Sequence, residues 1–142
     1  MSEEERATSM DLSKYRLERA REDMSNAKIL FENGKYKAAN NRSYYAIFHA
    51  LRSVLAMDNY DSKRHSGIIS EFQKRYIKEG VFPKEISRII DSAFIIRNAS
   101  DYDDMFIADK SQTETQMKNA EYVIDLVQDY LDSREIGENN EQ

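Results

Sequence analysis

The side chains most able to do chemistry in this sequence lie in residues 41–49, which read NRSYYAIFH. With the 3.6-residue period of an α-helix, Arg42, Tyr45, His49 and Ser53 follow one another along one face. That face would present a cation, a phenol, an imidazole and a hydroxyl in a row. The other face carries the apolar residues that a packed helix needs, namely Tyr44, Ile47, Phe48, Leu51, Val54 and Leu55. We therefore expect a helix with one packed side and one side that belongs to a binding or catalytic site.

A second candidate is Arg97, at the end of the apolar stripe of a later helix. This stripe consists of Ile86, Ile90, Ala93 and Phe94. A guanidinium at the end of such a stripe must be paired, reach water along its alkyl chain, or face a cleft or subunit interface. Asp101, four residues on, is placed to pair with it. Two interpretations stay open: a structural Arg97–Asp101 clamp, or an arginine that binds phosphate in a polar groove.

The two histidines, His49 and His65, are candidate proton carriers. His49 lies on the polar face described above, and His65 stands where a third helix should begin. Either one could serve together with Arg97 if the fold brings it close, and either one could instead be structural. The sequence does not decide between these alternatives.

No metal site is expected, because the chain has no cysteine and only two histidines. The acidic run Asp101, Asp103 and Asp104 lacks the glycine and the distal glutamate of a calcium loop, so we interpret it as a solvated helix end. The glycine-rich phosphate loops and the catalytic signatures GxSxG and HExxH are also missing from the sequence. We expect neither a metal nor another cofactor.

Composition narrows the class of protein. The 142 residues suffice for one domain with its own core, and a single proline and four glycines favour long helices over a sheet with many tight turns. No apolar run approaches the length of a membrane span, and residues 1–16 lack the apolar centre of a signal peptide. We therefore expect a cytoplasmic protein. The net charge of −5 argues weakly against non-specific binding of nucleic acids but leaves room for a local basic cleft.

Hydrophobic periodicity predicts an all-α protein with five helices. Their expected ranges are 11–32, 36–57, 65–78, a fourth helix with Pro83 in its first turn, and 111–133. The first helix is expected to pack through Leu12, Tyr15, Ala20, Met24, Ala27 and Phe31. Residues 1–10 and 134–142 are expected to be flexible segments on either side of a helical domain at 11–133.

Three stretches together resemble the HEPN superfamily (higher eukaryote and prokaryote nucleotide-binding domains), in particular its small stand-alone prokaryotic members. They are NNRSYYAIFHALRSVL at 40–55, KRHSGIISEF at 63–72 and RNASDYDDMF at 97–106. The resemblance covers about residues 11–131. It implies a compact, antiparallel, up-and-down bundle that usually forms a homodimer, often through the helices that bear the polar motifs.

The resemblance also implies roles for individual residues. Many members look like metal-independent ribonucleases, which use an arginine, a following polar residue and a histidine slightly further on, with both subunits contributing. Arg97 and Asn98 match the start of this motif, but the histidine is missing, and Tyr102 lies in its window. His49 or His65 would have to supply the imidazole.

A partner is implied as well. Small stand-alone HEPN proteins are often encoded beside a minimal nucleotidyltransferase, and such pairs behave as toxin–antitoxin modules. In some of these pairs the partner modifies a tyrosine near the arginine motif. Tyr102 is the corresponding position here.

Three functions stay open on the sequence. The missing histidine favours a weakly catalytic or non-catalytic HEPN module that binds a nucleotide, RNA or a partner nucleotidyltransferase. Its ligand-binding residues would be Arg42, Tyr45, Asn98, Asp101 and Tyr102. The second possibility is an active ribonuclease toxin with Arg97 at a dimer cleft and His49 or His65 as the proton carrier. The third is a purely structural helical interaction protein.

Overall fold

The computed structural model describes residues 1–103 and 105–140, and it is a bundle of five α-helices. The helices are α1 (Glu3–Glu32), α2 (Tyr36–Ala56), α3 (His65–Phe72), α4 (Glu85–Tyr102) and α5 (Lys110–Asn140), and a π-helical segment, Gln73–Ile77, continues α3. The described residues contain no β-strand. The predicted all-α bundle of about five helices is confirmed. No helix in this part of the chain is long and apolar enough to cross a membrane.

Both terminal helices extend further than the sequence predicted. Helix α1 begins at Glu3 rather than at residue 11, because the Ser2 hydroxyl accepts a hydrogen bond from the Glu5 amide at 3.1 Å. Three glutamates in the first turn also complement the helix dipole. Helix α5 continues past residue 133 to Asn140. The flexibility expected of residues 1–10 and 134–142 stays a prediction, and residues 141 and 142 lie outside the described residues.

Helix α2 is the centre of the bundle, since it packs against each of the other four α-helices. Its predicted apolar face is confirmed, with Tyr44, Ile47, Phe48, Leu51, Val54 and Leu55 all buried. Helices α1 and α2 form an antiparallel hairpin, and Gly34 at the turn between them has a φ of 72°, a conformation that glycine adopts readily. Ser53, predicted to continue the row of polar side chains on the other face, is also buried, and its hydroxyl donates to the Ala50 carbonyl oxygen, so it is not available to a site.

The predicted packing face of α1 is partly wrong. Leu12 and Tyr15 are 40% and 54% exposed. The buried stripe instead contains small and polar residues, namely Ser9, Ser13, Arg16, Ala20, Asp23 and Ala27, together with Leu17 and Met24. The Ser13 hydroxyl donates to the Ser53 carbonyl oxygen at 2.6 Å, which brings the two helices together along this stripe. Leu12 and Tyr15 consequently lie toward solvent.

The connection between α2 and α3 determines where His65 lies. Asn59 adopts a left-handed conformation with a φ of 59°, and the Ser9 hydroxyl donates to its Oδ1 at 3.0 Å. Gly67 in the first turn of α3 closely approaches Ser62, because a Cβ atom at Gly67 would lie 2.6 Å from the Ser62 Oγ. These contacts hold the connection against both α1 and α3, and His65 begins α3 directly after it.

A polar cluster ties the distant end of α2 to α5. The Tyr76 hydroxyl donates to Asp58, and the Arg134 guanidinium donates to Asp58 Oδ1 at 3.2 Å and to the Tyr130 hydroxyl at 3.2 Å. Burial and the hydrogen bond to Asp58 raise the pKa of Tyr76 above its ordinary value. The hydroxyl therefore stays protonated and acts as a donor in this cluster.

Candidate functional site

Arg97, on α4, lies against the tyrosine pair of α2. Its guanidinium carbon is 5.3 Å from the centre of the Tyr44 ring and 5.8 Å from that of the Tyr45 ring, both within the range of a cation–π contact. Its Nη2 donates to the Tyr45 hydroxyl at 3.4 Å. Its Nε is 3.1 Å from Asp101 Oδ2, as an ion pair without an aligned hydrogen bond. About a fifth of the side chain remains exposed, at 21%.

His65 enters the same cluster through Tyr44. The His65 Nδ1 is 2.9 Å from the Tyr44 hydroxyl, and the imidazole stacks on the Phe48 ring with the ring centres 4.0 Å apart. Burial raises the pKa of Tyr44 to about 12, so its hydroxyl stays protonated at neutral pH. The other ring nitrogen, Nε2, makes no hydrogen bond within the described residues and is not buried. His65 is thus held at one nitrogen and accessible at the other.

The imidazole of His65 is neutral at physiological pH. Burial lowers its pKa below the ordinary value, and the charges of Arg97 and Arg52 lower it further. If Tyr44 accepts the proton of Nδ1, then Nε2 carries a free lone pair and can take up a proton from a substrate. The same lowered pKa makes the protonated form a stronger acid, which favours later release of that proton.

His49 lies in a separate, more enclosed arrangement. Its Nε2 is 3.8 Å from Asp23 Oδ2, and Arg42 Nη1 donates to Asp23 Oδ1 at 3.4 Å. Burial and the charges of Arg19, Arg52 and Arg16 lower the pKa of His49 to about 4 despite this carboxylate. Its Nδ1 is buried without a hydrogen-bond partner. His49 is therefore a neutral, enclosed imidazole and a poorer proton carrier than His65.

The structure brings some of the predicted site residues together and separates others. One cluster contains Arg97, Tyr45, Asp101 and His65. A second contains Arg42 and His49, which both contact Asp23. Tyr45 lies between the two groups, with its ring centre 6.0 Å from that of His65 and 6.5 Å from that of His49. The group around Arg97 and the group around Asp23 therefore adjoin each other at Tyr45.

The remaining predicted residues contribute less to this cluster. Asn98 is half-buried and makes no side-chain hydrogen bond within the described part of the chain. Tyr102 is 80% exposed near the end of α4. Asp103 Oδ1 accepts the Met105 amide at 2.9 Å, as expected of a polar helix end, and Asp104 lies outside the described residues.

The face around the two histidines is rich in positive charge, although the chain as a whole carries −5. Five arginines surround the two histidines, namely Arg16, Arg19, Arg42, Arg52 and Arg97. Among the described residues, their acidic neighbours are Asp23, Asp61 and Asp101, together with Glu22 beside Arg19. The surplus of guanidinium groups indicates that the face is suited to an anionic ligand.

Tyr44 and Asp23 contact the two histidines but are not among the site residues predicted from the sequence. Tyr44 was assigned only to the core, because its ring belongs to the apolar stripe and its hydroxyl has no signature of its own. Asp23 is not singled out from the sequence, although the residue is 6% exposed. A signal for Asp23 did exist: it falls at helical spacing from Ser9, Ser13, Ala20 and Ala27, a row of small residues typical of close helix packing.

Comparisons with known proteins agree with this architecture. A model of the HEPN domain family matches residues 13–130. A protein of Methanocaldococcus jannaschii named "Putative toxin" is 36% identical over 118 residues, covering 81% of this chain and 85% of its own length. A second protein of that organism, also named "Putative toxin", is 27% identical over 126 residues, covering 87% of this chain and 86% of its own length. A UPF0332 protein of Thermotoga maritima is 27% identical over 118 residues, covering 83% of this chain and 89% of its own length.

Proposed function

This chain belongs to the HEPN domain family, and we propose that it is a toxin-like protein that acts on RNA in the cytoplasm and cleaves it without a metal. The observation that carries the proposal is the position of His65. Its Nδ1 is held by the Tyr44 hydroxyl at 2.9 Å, its Nε2 makes no hydrogen bond within the described residues, the side chain is partly exposed, and Arg97 contacts the same tyrosine ring. An imidazole from elsewhere in the chain thus takes the role of the histidine that the motif after Arg97 lacks.

The proposed reaction is an internal transesterification of the RNA backbone. His65 Nε2 accepts the proton of a ribose 2′-hydroxyl, and the oxygen attacks the adjacent phosphorus. The bond from phosphorus to the 5′-oxygen breaks, and this oxygen takes a proton from water or from the imidazolium. Arg97 stabilises the negative charge that develops on the phosphoryl oxygens. The products are a 2′,3′-cyclic phosphate and a free 5′-hydroxyl.

Asp101 is the competitor in this scheme. It pairs with Arg97 at 3.1 Å and is one-third exposed, at 33%. A phosphate that reaches Arg97 must share the guanidinium with this carboxylate or displace it. The same ion pair is the observation that favours the structural alternative, in which Arg97 only fixes the end of α4.

Cleavage of a short single-stranded RNA in the presence of EDTA tests the proposal. We expect wild-type protein to produce 2′,3′-cyclic phosphate ends, and both Arg97→Ala and His65→Gln to abolish the reaction. Arg88→Ala is the matched control, because it removes an exposed arginine from the same helix. Cleavage that persists in Arg97→Ala would refute the proposed reaction. RNA binding that depends on Arg97 without any cleavage would identify a binding module, and the loss of both would leave the structural role.

We also propose that the protein forms a homodimer through the outer surface of α4 and the segment after it. Four large apolar side chains of α4 and of the segment after it are 66–87% exposed, namely Ile95, Tyr102, Met105 and Ile107. Monomeric proteins rarely expose such a patch, and burial in a symmetric interface would remove it from water. Sedimentation at micromolar concentrations tests this proposal, and a wild-type monomer would contradict it.

A minimal nucleotidyltransferase is the second proposed partner, as the antitoxin of a two-protein module. The exposed hydroxyl-bearing ring of Tyr102 supports this proposal, because a modifying enzyme needs such access. Co-expression with a minimal nucleotidyltransferase, followed by intact-mass measurement, should show an added nucleotidyl group on wild-type protein and none on Tyr102→Phe. An identical mass increase on both proteins would exclude Tyr102 as the modified residue.

A further inference from the structure

The carboxylate of Asp61 lies in a cradle of hydrogen-bond donors beside the site. Arg52 donates to Asp61 Oδ1 from Nε at 3.2 Å and from Nη2 at 3.1 Å, and Nη2 also lies 2.9 Å from Oδ2. Arg16 Nη2 donates to Oδ2 at 3.2 Å, and the Ser62 amide donates to Oδ1 at 2.9 Å. Two guanidinium groups and a backbone N–H thus bind one oxyanion, which is the donor set expected of a phosphate site.

The cradle is rigid, whereas its present occupant is accessible. The Arg16 side chain is only 9% exposed, and its Nη1 donates to the Arg52 carbonyl oxygen at 3.3 Å. Arg52 is fixed on α2 and is 24% exposed. Asp61, by contrast, lies on the connection between α2 and α3 and is 49% exposed. A ligand from solvent can therefore reach the carboxylate, and the guanidinium groups are already in position behind it.

The cradle adjoins the proposed reaction centre. The Arg52 guanidinium carbon is 5.7 Å from the centre of the Phe48 ring, and His65 stacks on that same ring at 4.0 Å. The charge of Arg52 also lowers the pKa of His65, as expected of close neighbours. An RNA strand with one phosphate at Arg97 would thus have a further phosphate within reach of Arg52. Two exposed residues of the same connection, Lys63 and Arg64, add positive charge.

We propose that Arg16, Arg52 and the Ser62 amide form a second phosphate subsite for RNA, which the Asp61 carboxylate occupies until RNA displaces it. Carboxylate and phosphodiester oxygens both accept the paired donors of a guanidinium, so one can replace the other. RNA as the ligand rests on the proposed function, whereas the affinity of the cradle for a phosphate oxyanion does not depend on it.

The test compares Asp61→Asn with Asp125→Asn. Both variants remove one negative charge. Asp125, however, lies on α5, is 72% exposed and pairs only distantly with Arg21, at 3.8 Å. Asparagine retains the size of Asp61 and one acceptor oxygen for the cradle. Affinity for a short single-stranded RNA is measured over a range of salt concentrations, with Arg97→Ala in both proteins to prevent cleavage. We expect Asp61→Asn to bind about three- to tenfold more tightly, with a salt dependence steeper by about 0.7 in log–log slope for one additional phosphate.

Adding Arg52→Gln should remove this gain in affinity. Equal affinities of the two aspartate variants, weaker binding by Asp61→Asn, or a gain that survives Arg52→Gln would each overturn the proposal. If Asp61→Asn does not fold, Arg52→Gln combined with Arg97→Ala provides the second test, and its control Arg21→Gln carries the same Arg97→Ala change. It should weaken RNA binding at least about threefold relative to Arg21→Gln, because only Arg52 belongs to the cradle. Equal binding by these two variants would likewise overturn the proposal.

Inorganic phosphate separates this proposal from the proposed function. We expect phosphate to raise the thermal unfolding midpoint of Asp61→Asn more than that of the wild type or of Asp125→Asn, because the ligand binds the opened cradle only in the folded state. The same shift in all three proteins would overturn the cradle as an anion site. Failure of the wild type to cleave RNA would overturn the proposed reaction and leave the phosphate result unaffected.

Discussion

Removing one oxygen atom, in Tyr44→Phe, tests how His65 is held. The ring of Tyr44 is buried, with 3% exposure, and its contacts with Phe48 and Arg97 depend on the ring rather than on the hydroxyl. The substitution therefore retains the core packing and the cation–π contact. It removes only the 2.9 Å hydrogen bond to His65 Nδ1.

The expected magnitudes follow from that single bond. A hydrogen bond of this kind contributes about 1 kcal/mol to the free energy of unfolding, which corresponds to about 3 °C in the unfolding midpoint of a chain of this size. Without Tyr44 as its partner, the imidazole can turn and change tautomer, so Nε2 is no longer held ready to accept a proton. An increase of about 1.4 kcal/mol in the reaction barrier would lower the rate of RNA cleavage about tenfold.

Tyr76→Phe is the matched control. Tyr76 is buried to a similar degree, with 6% exposure, and its hydroxyl donates to Asp58 at the other polar cluster. Both variants should lose a similar amount of stability in thermal denaturation, but only Tyr44→Phe should lose cleavage activity. Two results would refute the reasoning: full activity in Tyr44→Phe, or an equal loss of activity in both variants. In either case the bond to His65 would have no specific role in the reaction.

Three further predictions concern pH, packing and assembly. The pKa of about 4 for His49 lies below the ordinary 6.5, so the unfolded chain binds the proton first as the pH falls from about 6.5 to about 4. Relative to His49→Gln, the wild type should lose about 2–3 kcal/mol of unfolding free energy between pH 7 and about pH 4.5. The same pH dependence of the unfolding free energy in both proteins would contradict this. Gly67→Ala should destabilise the protein by about 1–2 kcal/mol, since its Cβ would lie 2.6 Å from Ser62 Oγ, whereas Gly137→Ala, with nothing within 4 Å, should not. Ile95→Glu should convert the proposed dimer to monomer in sedimentation, and an unchanged mass would exclude that surface.

The fold was largely predictable because α2 carries an uninterrupted helical pattern. Its apolar residues recur at helical spacing over the 21 residues of the helix, and neither proline nor glycine interrupts them. Local helix preference and the pattern of burial therefore favour the same structure. The pairing of Arg97 with Asp101 was predictable for the same reason, since four residues along a helix fix their relative position. Helix ends were less predictable, because the Ser2 cap of α1 precedes a segment with few apolar residues.

The choice between His49 and His65 could not be made from the sequence. His49 has a fixed position on α2, but its distance from Arg97 depends on how α4 packs. His65 reaches Tyr44 only because the preceding connection is held by Asn59 and by the close approach of Gly67 to Ser62. The Asn59 contact is with Ser9, 50 positions away, and the close approach of Gly67 to Ser62 depends on the path of the connection between them, so neither has a local signature. The polar packing stripe of α1 was missed for a related reason, as Arg16 and Asp23 are buried only because partners on other elements satisfy them.

The arginine-rich face also has a consequence for how the molecule meets its ligand. The chain carries −5 overall, and Glu3, Glu4 and Glu5 lie in the first turn of α1, beyond the contact between Ser9 and Asn59. Separated charges of this kind give the protein an electric dipole. A polyanion approaching from a distance is repelled by the net charge but experiences a torque that turns the arginine-rich face toward it. Encounter should therefore be selective in orientation rather than fast, and salt should weaken both the repulsion and this alignment.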